Sequence, residues 1–423
     1  MSQVDAAWID GLMADLFPLC RSITGNGNRA TLARLNQEID LPVHEVPTGT
    51  KVLDWEVPRE WNLNRGRLWG PDGELLADSD VNNLHVVGYS EPISGELSLS
   101  QLASHLHSNP DLPDVVPYRT AYYAQTWGFC LPYEVHARLQ PGNYRVEIDS
   151  TLEAGSLSYG ELVVPGASSR EVLVSTHICH PSMANDNLTG IAATVALARW
   201  ALANPRRLTY RFLFIPGTIG SITWLELHPS VIPNIAHGLV ITGVGDSGSL
   251  TYKRSRRGST ATDRVMTLML EGRGNVIDWY PYGYDERQYC SLGFDLPIGR
   301  LSRTMHGTYP EYHTSADNLS FVSASQVLEA ISVMTDAFEY FEERRPLRNL
   351  APQGEPQLGR RGLFAKIGGT IGNASKESTY LWLLSLADGE VDVADVANQA
   401  GIPVAEVAQA ARRLCDVGLL SDD

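Results

Sequence analysis

The spacing of apolar residues changes several times along the chain. From residue 5 to 38 it is helical, with Ile9, Leu12, Met13 and Leu16 on one face; a break at "SITGNGNR" follows, and then Leu32, Leu35 and Ile39. From about Leu41 to Leu112 the texture becomes short, aromatic-rich strand candidates punctuated by "PTGT", "GPDGE" and "EPISGE", which predicts a small inserted β unit. Between Tyr144 and Gly245, β-rich runs ("YRVEIDS", "EVLVSTH", "YRFLFIP", "HGLVITGVG") alternate with a helix predicted from Gly190 to Leu202. That alternation predicts an α/β sheet covered by helices on both faces. The amphipathic run "SASQVLEAISVMTDAFEYFEE" closes it, and a Pro-, Gly- and Arg-rich linker follows from Arg345 to Gly362. Three further helical windows, separated by "DGEVD" and "GIP", end in a short apolar tail and predict a winged helix-turn-helix. The expected organisation is residues 1–40 with 113–345, an insert at 41–112, and a terminal unit at 346–423.

A chain of 423 residues with 43% hydrophobic residues can fill more than one core. Its formal charge of −16 disfavours nucleic acid and anionic membrane as partners. Lys253, Arg254, Arg256 and Arg257 form the one compact basic run, read either as a solvated turn or as a neutraliser of an acidic substrate group. The candidate recognition helix "VAEVAQAARRLCD" carries only Arg412 and Arg413 as cations, so packing or a homo-oligomer contact is favoured there over DNA. Five scattered cysteines without a CxxC pair fit a reducing compartment. With no leader-like start and no apolar run near 18 residues, the expectation is a cytoplasmic protein without a membrane partner.

The chemistry concentrates in "LVSTHICHPSMANDNLTG". His177 ends an apolar strand, at the sheet edge where open α/β folds place their ligands, and Asp186 and Asn187 lie on the loop that follows. Neutral imidazole with carboxylate suits zinc or a similar divalent ion. Structural hydrogen bonding is the competing reading for His177 and His180. A second cluster, "YPEYHTSADN", sets His313 between Glu311 and Asp317, and Asp246 again follows a strand. Three strand-end groups of ligand type favour a metal.

Together with "FPLCRSITGNGNR", "VLDWEVPREWN", "NNLHVVGYSEP", "PYRTAYYAQTWGFC", "GSLSYGELVVPG" and "YDERQYC", these elements resemble bacterial aminopeptidase-like proteins with an inserted β domain and a C-terminal winged helix, similar to the M28-type zinc aminopeptidases. The resemblance implies an M28-like sheet. By motif it implies His177, Asp186, Asp246 and His313 as metal ligands. Cys179 stands where the pattern has an orienting Asp.

In that pattern a Glu-Glu pair supplies a ligand and the general base, but this chain has Gly217 and Thr218 in "FLFIPGTIGSITWL". Loss of the ligand favours one zinc over two. Loss of a positioned base typically costs about 10²- to 10⁴-fold in rate. Glu286 and Glu311 are the candidate replacement bases; salt bridging or capping is the alternative for each. Arg287 could clamp a substrate carboxylate or pair with Asp285 or Glu286, and Tyr312 is a candidate substrate contact. The resulting expectation is a single-zinc enzyme acting on an amide or aminoacyl-type small molecule or short peptide, by hydrolysis or by a diverged acyl transfer, cyclisation or isomerisation. The alternatives are a catalytically silent metal-pocket binding or scaffolding protein and, lower, a DNA-binding regulator.

Overall fold

The structure, a computed structural model, describes residues 4–363 and 373–422, which form two compact units, Met1–Phe338 and Glu339–Asp423. The first is built on an eight-stranded sheet: β1 (Val43–Pro47), β2 (Ser156–Val164), β3 (Glu171–His177), β4 (Thr209–Ile215), β5 (Ile235–Ile241), β6 (Leu250–Lys253), β7 (Gly274–Ile277) and β8 (Ile298–Ser302). Their order is β1-β2-β4-β3-β5-β8-β6-β7. The centre is parallel, since β3 pairs in parallel with β4 and β5, and β5 with β8. β1, β2 and β6 join antiparallel.

Both central strands are buried on both faces, which explains their unbroken apolar reading rather than an alternation. The helix α1 (Ala6–Leu16) is capped by the Asp5 side chain, which accepts from Trp8 N, and buries Ile9, Leu12, Met13 and Leu16. After α2 (Asn26–Ile39), the helix α3 (Thr189–Ala203) follows the loop from β3. Its run "TGIAATVALARWALA" is buried on almost every side, and its small residues let it lie close to the sheet. Gly190 admits no side chain: a Cβ there would stand 2.2 Å from Asn187 Oδ1 and 2.7 Å from the Ile241 carbonyl oxygen. Arg211 in β4 is charge-paired across the sheet with Glu161 and Glu171.

The inserted β unit differs from the expected 41–112. A second sheet, ordered Leu75–Asp78, Glu60–Trp69, Asn143–Glu153, Ile93–Ser98, spans residues 60–153, while β1 belongs to the main sheet. The reason lies in Asn143–Glu153. Its alternating burial, with Tyr144, Val146, Ile148 and Ser150 inward, reads as a strand without revealing which sheet it joins; its pairing with Glu60–Trp69 decides that.

The second unit has its own core, with Leu347, Leu383, Val396, Val407 and Leu414 at its centre. Three helices, Asn373–Leu386, Val393–Ala400 and Val404–Asp416, accompany a two-stranded pairing of Leu347–Asn349 with Leu420–Asp422. The middle helix starts in an Asp392/Asp395 capping box and stops at Gly401, which has φ +66°. The boundary between the units falls inside the helix Ala324–Glu343 rather than after it. No helix among the described residues is long and apolar enough to cross a membrane.

Candidate metal centre

β3 ends at His177, and the chain then turns through His180 into the loop Ala184–Leu188 before α3 begins. Asp186 is the point on which three imidazoles converge. Its Oδ1 lies 2.8 Å from His177 Nε2, and its Oδ2 lies 3.0 Å from His313 Nε2 and 3.9 Å from His180 Nε2. The ligand atoms of His177, His180 and Asp186 all lie within 4.8 Å of one another. Two donors of a tetrahedral zinc site, with bonds of about 2.0–2.1 Å, are separated by about 3.3 Å, so this donor set fits such an ion in chemistry and spacing.

The loop is held from outside by Asp317. Its Oδ1 accepts from the main-chain amides of Ala184 (3.1 Å) and Asn185 (2.6 Å), and its Oδ2 from that of Asp186 (2.9 Å). Asn187 donates to Thr176 Oγ1 and to the His177 carbonyl, and accepts from Gly243 N. The rings are set by aromatic neighbours. Tyr284 stacks on His177 at 4.8 Å, Tyr312 on His313 at 3.9 Å, and Tyr118 meets His313 edge-on at 5.1 Å. His313 itself has φ +56°, a strained conformation for a residue with a Cβ, of the sort folds retain where function requires it.

Burial and the neighbouring imidazoles together set the ionisation of these groups. It lowers the His180 pKa to about 3, keeping that imidazole neutral as a ligand must be. Burial alone would raise the Asp186 pKa, but the surrounding histidines His180, His177 and His313 outweigh it and hold the carboxyl well below its usual range. Burial raises Asp317 to about 7 and Asp285 to about 6.

Of the residues singled out in the sequence, His177, Asp186 and His313 therefore meet. Asp246 does not join them: its carboxylate accepts from Asn185 Nδ2 (2.9 Å), Gly248 N (2.7 Å) and Thr304 Oγ1 (2.6 Å), so it braces the residue before Asp186. Glu286 is fully buried and ion-paired with Lys253 at 3.0 Å and Arg300 at 3.5 Å. The salt-bridge alternative accounts for it, and Lys253 is correspondingly not part of a solvated turn. Glu311 uses its carbonyl oxygen to cap Thr314, and its carboxylate makes no hydrogen bond among the described residues. Arg287 is exposed, whereas Tyr312 accepts a hydrogen bond from Tyr284 Oη at 3.2 Å. The sequence leaves His180 open between ligand and structural hydrogen bonding, though the His-x-x-His spacing in "HICH" points to it, names Asp285 only as a pairing partner for Arg287, and gives no role to Asp317 and Tyr284.

A cavity of about 430 Å³ opens beside the cluster, lined by His180, His313, Gly217 and Tyr284 together with Trp55, Tyr122 and Ile219. No carboxylate or cationic Lys or Arg lines it among the described residues. The site thus offers a largely apolar and aromatic chamber whose lining includes the two imidazoles of His180 and His313.

The sheet order and the strand-end cluster define an aminopeptidase-like α/β protein with the fold of the M28 zinc peptidases. The solved zinc aminopeptidase BSAP of Bacillus subtilis superposes with a TM-score of 0.58, at 14% identity, over 80% of this chain and 95% of that one. The chain belongs to the family described as a domain of unknown function, DUF4910, whose profile matches residues 10–344; a winged helix-turn-helix profile matches residues 345–422. A Clostridium acetobutylicum protein, provisionally named a polysaccharide biosynthesis protein with aminopeptidase-like domain, is 41% identical over 97% of this chain and 95% of its own length. A crystal structure from the same organism, provisionally described as that of a peptidase, superposes with a TM-score of 0.81 at 40% identity, over 99% of this chain and 96% of that one.

Proposed function

We propose that this chain is a single-zinc enzyme acting on the amide or aminoacyl group of a small molecule or short peptide. His177, Asp186 and His313 would hold the ion, with His180 at its side. The observation that carries the reading is the meeting of three imidazoles around one buried carboxylate, with two of the rings, His180 and His313, lining the cavity. A zinc ion there supplies Lewis acidity to the carbonyl oxygen of a bound amide. The residues of the chain do the rest: Asp317 fixes the loop that carries Asp186, Tyr284 and Tyr312 hold the imidazole planes, and Trp55, Tyr122 and Ile219 receive the uncharged part of the substrate and exclude water. The name of the Clostridium relative adds polysaccharide biosynthesis as a setting, in which the amide would be borne by a sugar. The second unit, with only Arg412 and Arg413 as cations on its last helix, is proposed as a packing or oligomer-contact module.

Gly217 favours one competing reading, a catalytically silent pocket that binds metal and ligand. Turnover decides between them, while elemental analysis tests the metal that both readings require. Elemental analysis of the protein should give about one zinc per chain, falling to none in Asp186→Ala. Turnover of aminoacyl anilides and of N-acyl amino sugars by the parent should be detectable; absence of turnover in both the parent and Gly217→Glu would leave the silent pocket. Equal aminopeptidase turnover by parent and Gly217→Glu would show that a carboxylate at 217 is not needed.

A further inference from the structure

The cavity beside the cluster, about 430 Å³, falls within the usual range for small-molecule sites. Its lining nevertheless contains no carboxylate among the described residues. The carboxylates near it are engaged elsewhere or set back. Asp186 is buried with both oxygens against imidazoles. Glu56, next to Trp55, pairs with Lys51 at 2.6 Å, and neither Asp285 nor Glu311 is part of the lining. The imidazoles of His180 and His313 bring no negative charge, and a divalent ion held by them adds positive charge. An ammonium group taken from water into such a space loses its hydration without gaining an anionic partner.

Two rings of the lining are left in water. Trp55 is 49% exposed and Tyr123 57% exposed, which puts both where the cavity meets solvent. They are held in place: Trp55 sits on the hairpin that pairs Lys51–Val52 with Trp55–Glu56, and the Tyr123 hydroxyl donates to the Glu56 carbonyl at 3.3 Å. Their ring centroids lie 5.8 Å apart. Two fixed, half-exposed aromatic side chains side by side form apolar surface that a ligand can cover at little cost in ordering. Thr120 and Thr218 add neutral hydroxyl groups to the lining, of the kind an acylamino group can hydrogen-bond. From the uncharged lining and this rim together we infer that the cavity selects substrates whose amino group is acylated, and hence neutral. Trp55 and Tyr123 are then specificity-determining residues, packing on the part of the substrate that reaches solvent. The inference rests on the reading of the site as a metal-assisted amide centre and narrows its substrate class, because a free α-ammonium is rejected.

The test titrates the zinc-loaded full chain with N-acetyl-phenylalaninamide and with phenylalaninamide, which differ in whether the amino group is acylated. At pH 6, below the usual α-amino pKa of about 7.7–8.0, the acetylated probe should bind at least about tenfold more tightly. At pH 9, where the free amine is neutral, the gap should narrow. Trp55→Ala and Tyr123→Ala should keep the zinc stoichiometry and Tm of the parent but weaken the acetylated probe by at least about threefold. Binding of phenylalaninamide at pH 6 as tight as that of the acetylated probe, or tighter, overturns the inference and makes the rings a cage for cations. A gap just as wide at pH 9 overturns it too, since acylation would then be read by shape and not by charge. Failure of the parent to bind either probe, or unchanged affinity in both rim variants, has the same consequence. If the parent takes up no zinc, the proposed function fails on its own, and the same titrations of the metal-free chain decide the selectivity of the cavity.

Discussion

Asp317 Oδ2 accepts the main-chain N–H of Asp186 at 2.9 Å. The carboxylate at the centre of the histidine cluster is thus placed by another carboxylate, acting through the backbone. Replacing Asp317 by Asn turns one acceptor oxygen into a donor that cannot receive an amide N–H. Zinc affinity should fall about 10- to 100-fold, the usual cost of losing an outer partner of a metal ligand. A competition titration against a chelator measures it, and unchanged affinity would show the loop to be held by other contacts.

Asp246 gives the opposite signature. With Asn185, Gly248 and Thr304 all donating to it, Asp246→Ala should leave buried donors unmet and destabilise the protein by about 2–3 kcal/mol. The zinc count per chain should stay at that of the parent. Urea unfolding and elemental analysis, run on the same preparation, separate a bracing residue from a ligand.

For Glu286 the expected loss is of stability. Glu286→Gln leaves the charges of Lys253 and Arg300 buried without their carboxylate, which costs about 3–5 kcal/mol when one partner of such a pair is removed. Denaturant midpoints test this. A variant as stable as the parent, yet slower in turnover, would return Glu286 to the list of proton acceptors.

Glu60 carries a pH dependence at a distance from the cavity. Two hydrogen bonds of 2.7 Å from Arg29 lower its pKa from 4.5 to about 2. Because the folded value lies below the unfolded one, the stabilisation is present above pH 4.5 and is lost as the pH falls through 2. The pair is partly solvent-exposed, so the stabilisation is about 1 kcal/mol. Glu60→Gln should be less stable than the parent at pH 7 by that amount, and the gap should narrow as the pH drops from 4.5 toward 2. Thermal melts across that range check the sign.

The elements that proved readable are those with strong periodicity. The first two helices, the helix after His177, the central strands and the three terminal helices follow from spacing alone. Sheet membership did not: Val43–Pro47 and Asn143–Glu153 each look like strands, and only pairing over long sequence separations assigns one to the main sheet and the other to the insert. At the site, His177, Asp186 and His313 stood out because their residue types and strand-end positions are chemically marked. Asp317 and Asp285 did not, because what distinguishes them is the orientation of single oxygen atoms. For the same reason Asp246 and Glu286 look like site residues in sequence, while their lone pairs are taken up by Asn185, Thr304, Lys253 and Arg300.

The clamp on Asp186 arrives late in synthesis. Its acceptor lies 131 residues farther along the chain, an interval of on the order of ten seconds at common translation rates. A nascent chain carries His177 and Asp186 out of the ribosome before His313 and Asp317 can close over them, so the cluster assembles only once synthesis has passed residue 317, and products terminated before it would lack the clamp.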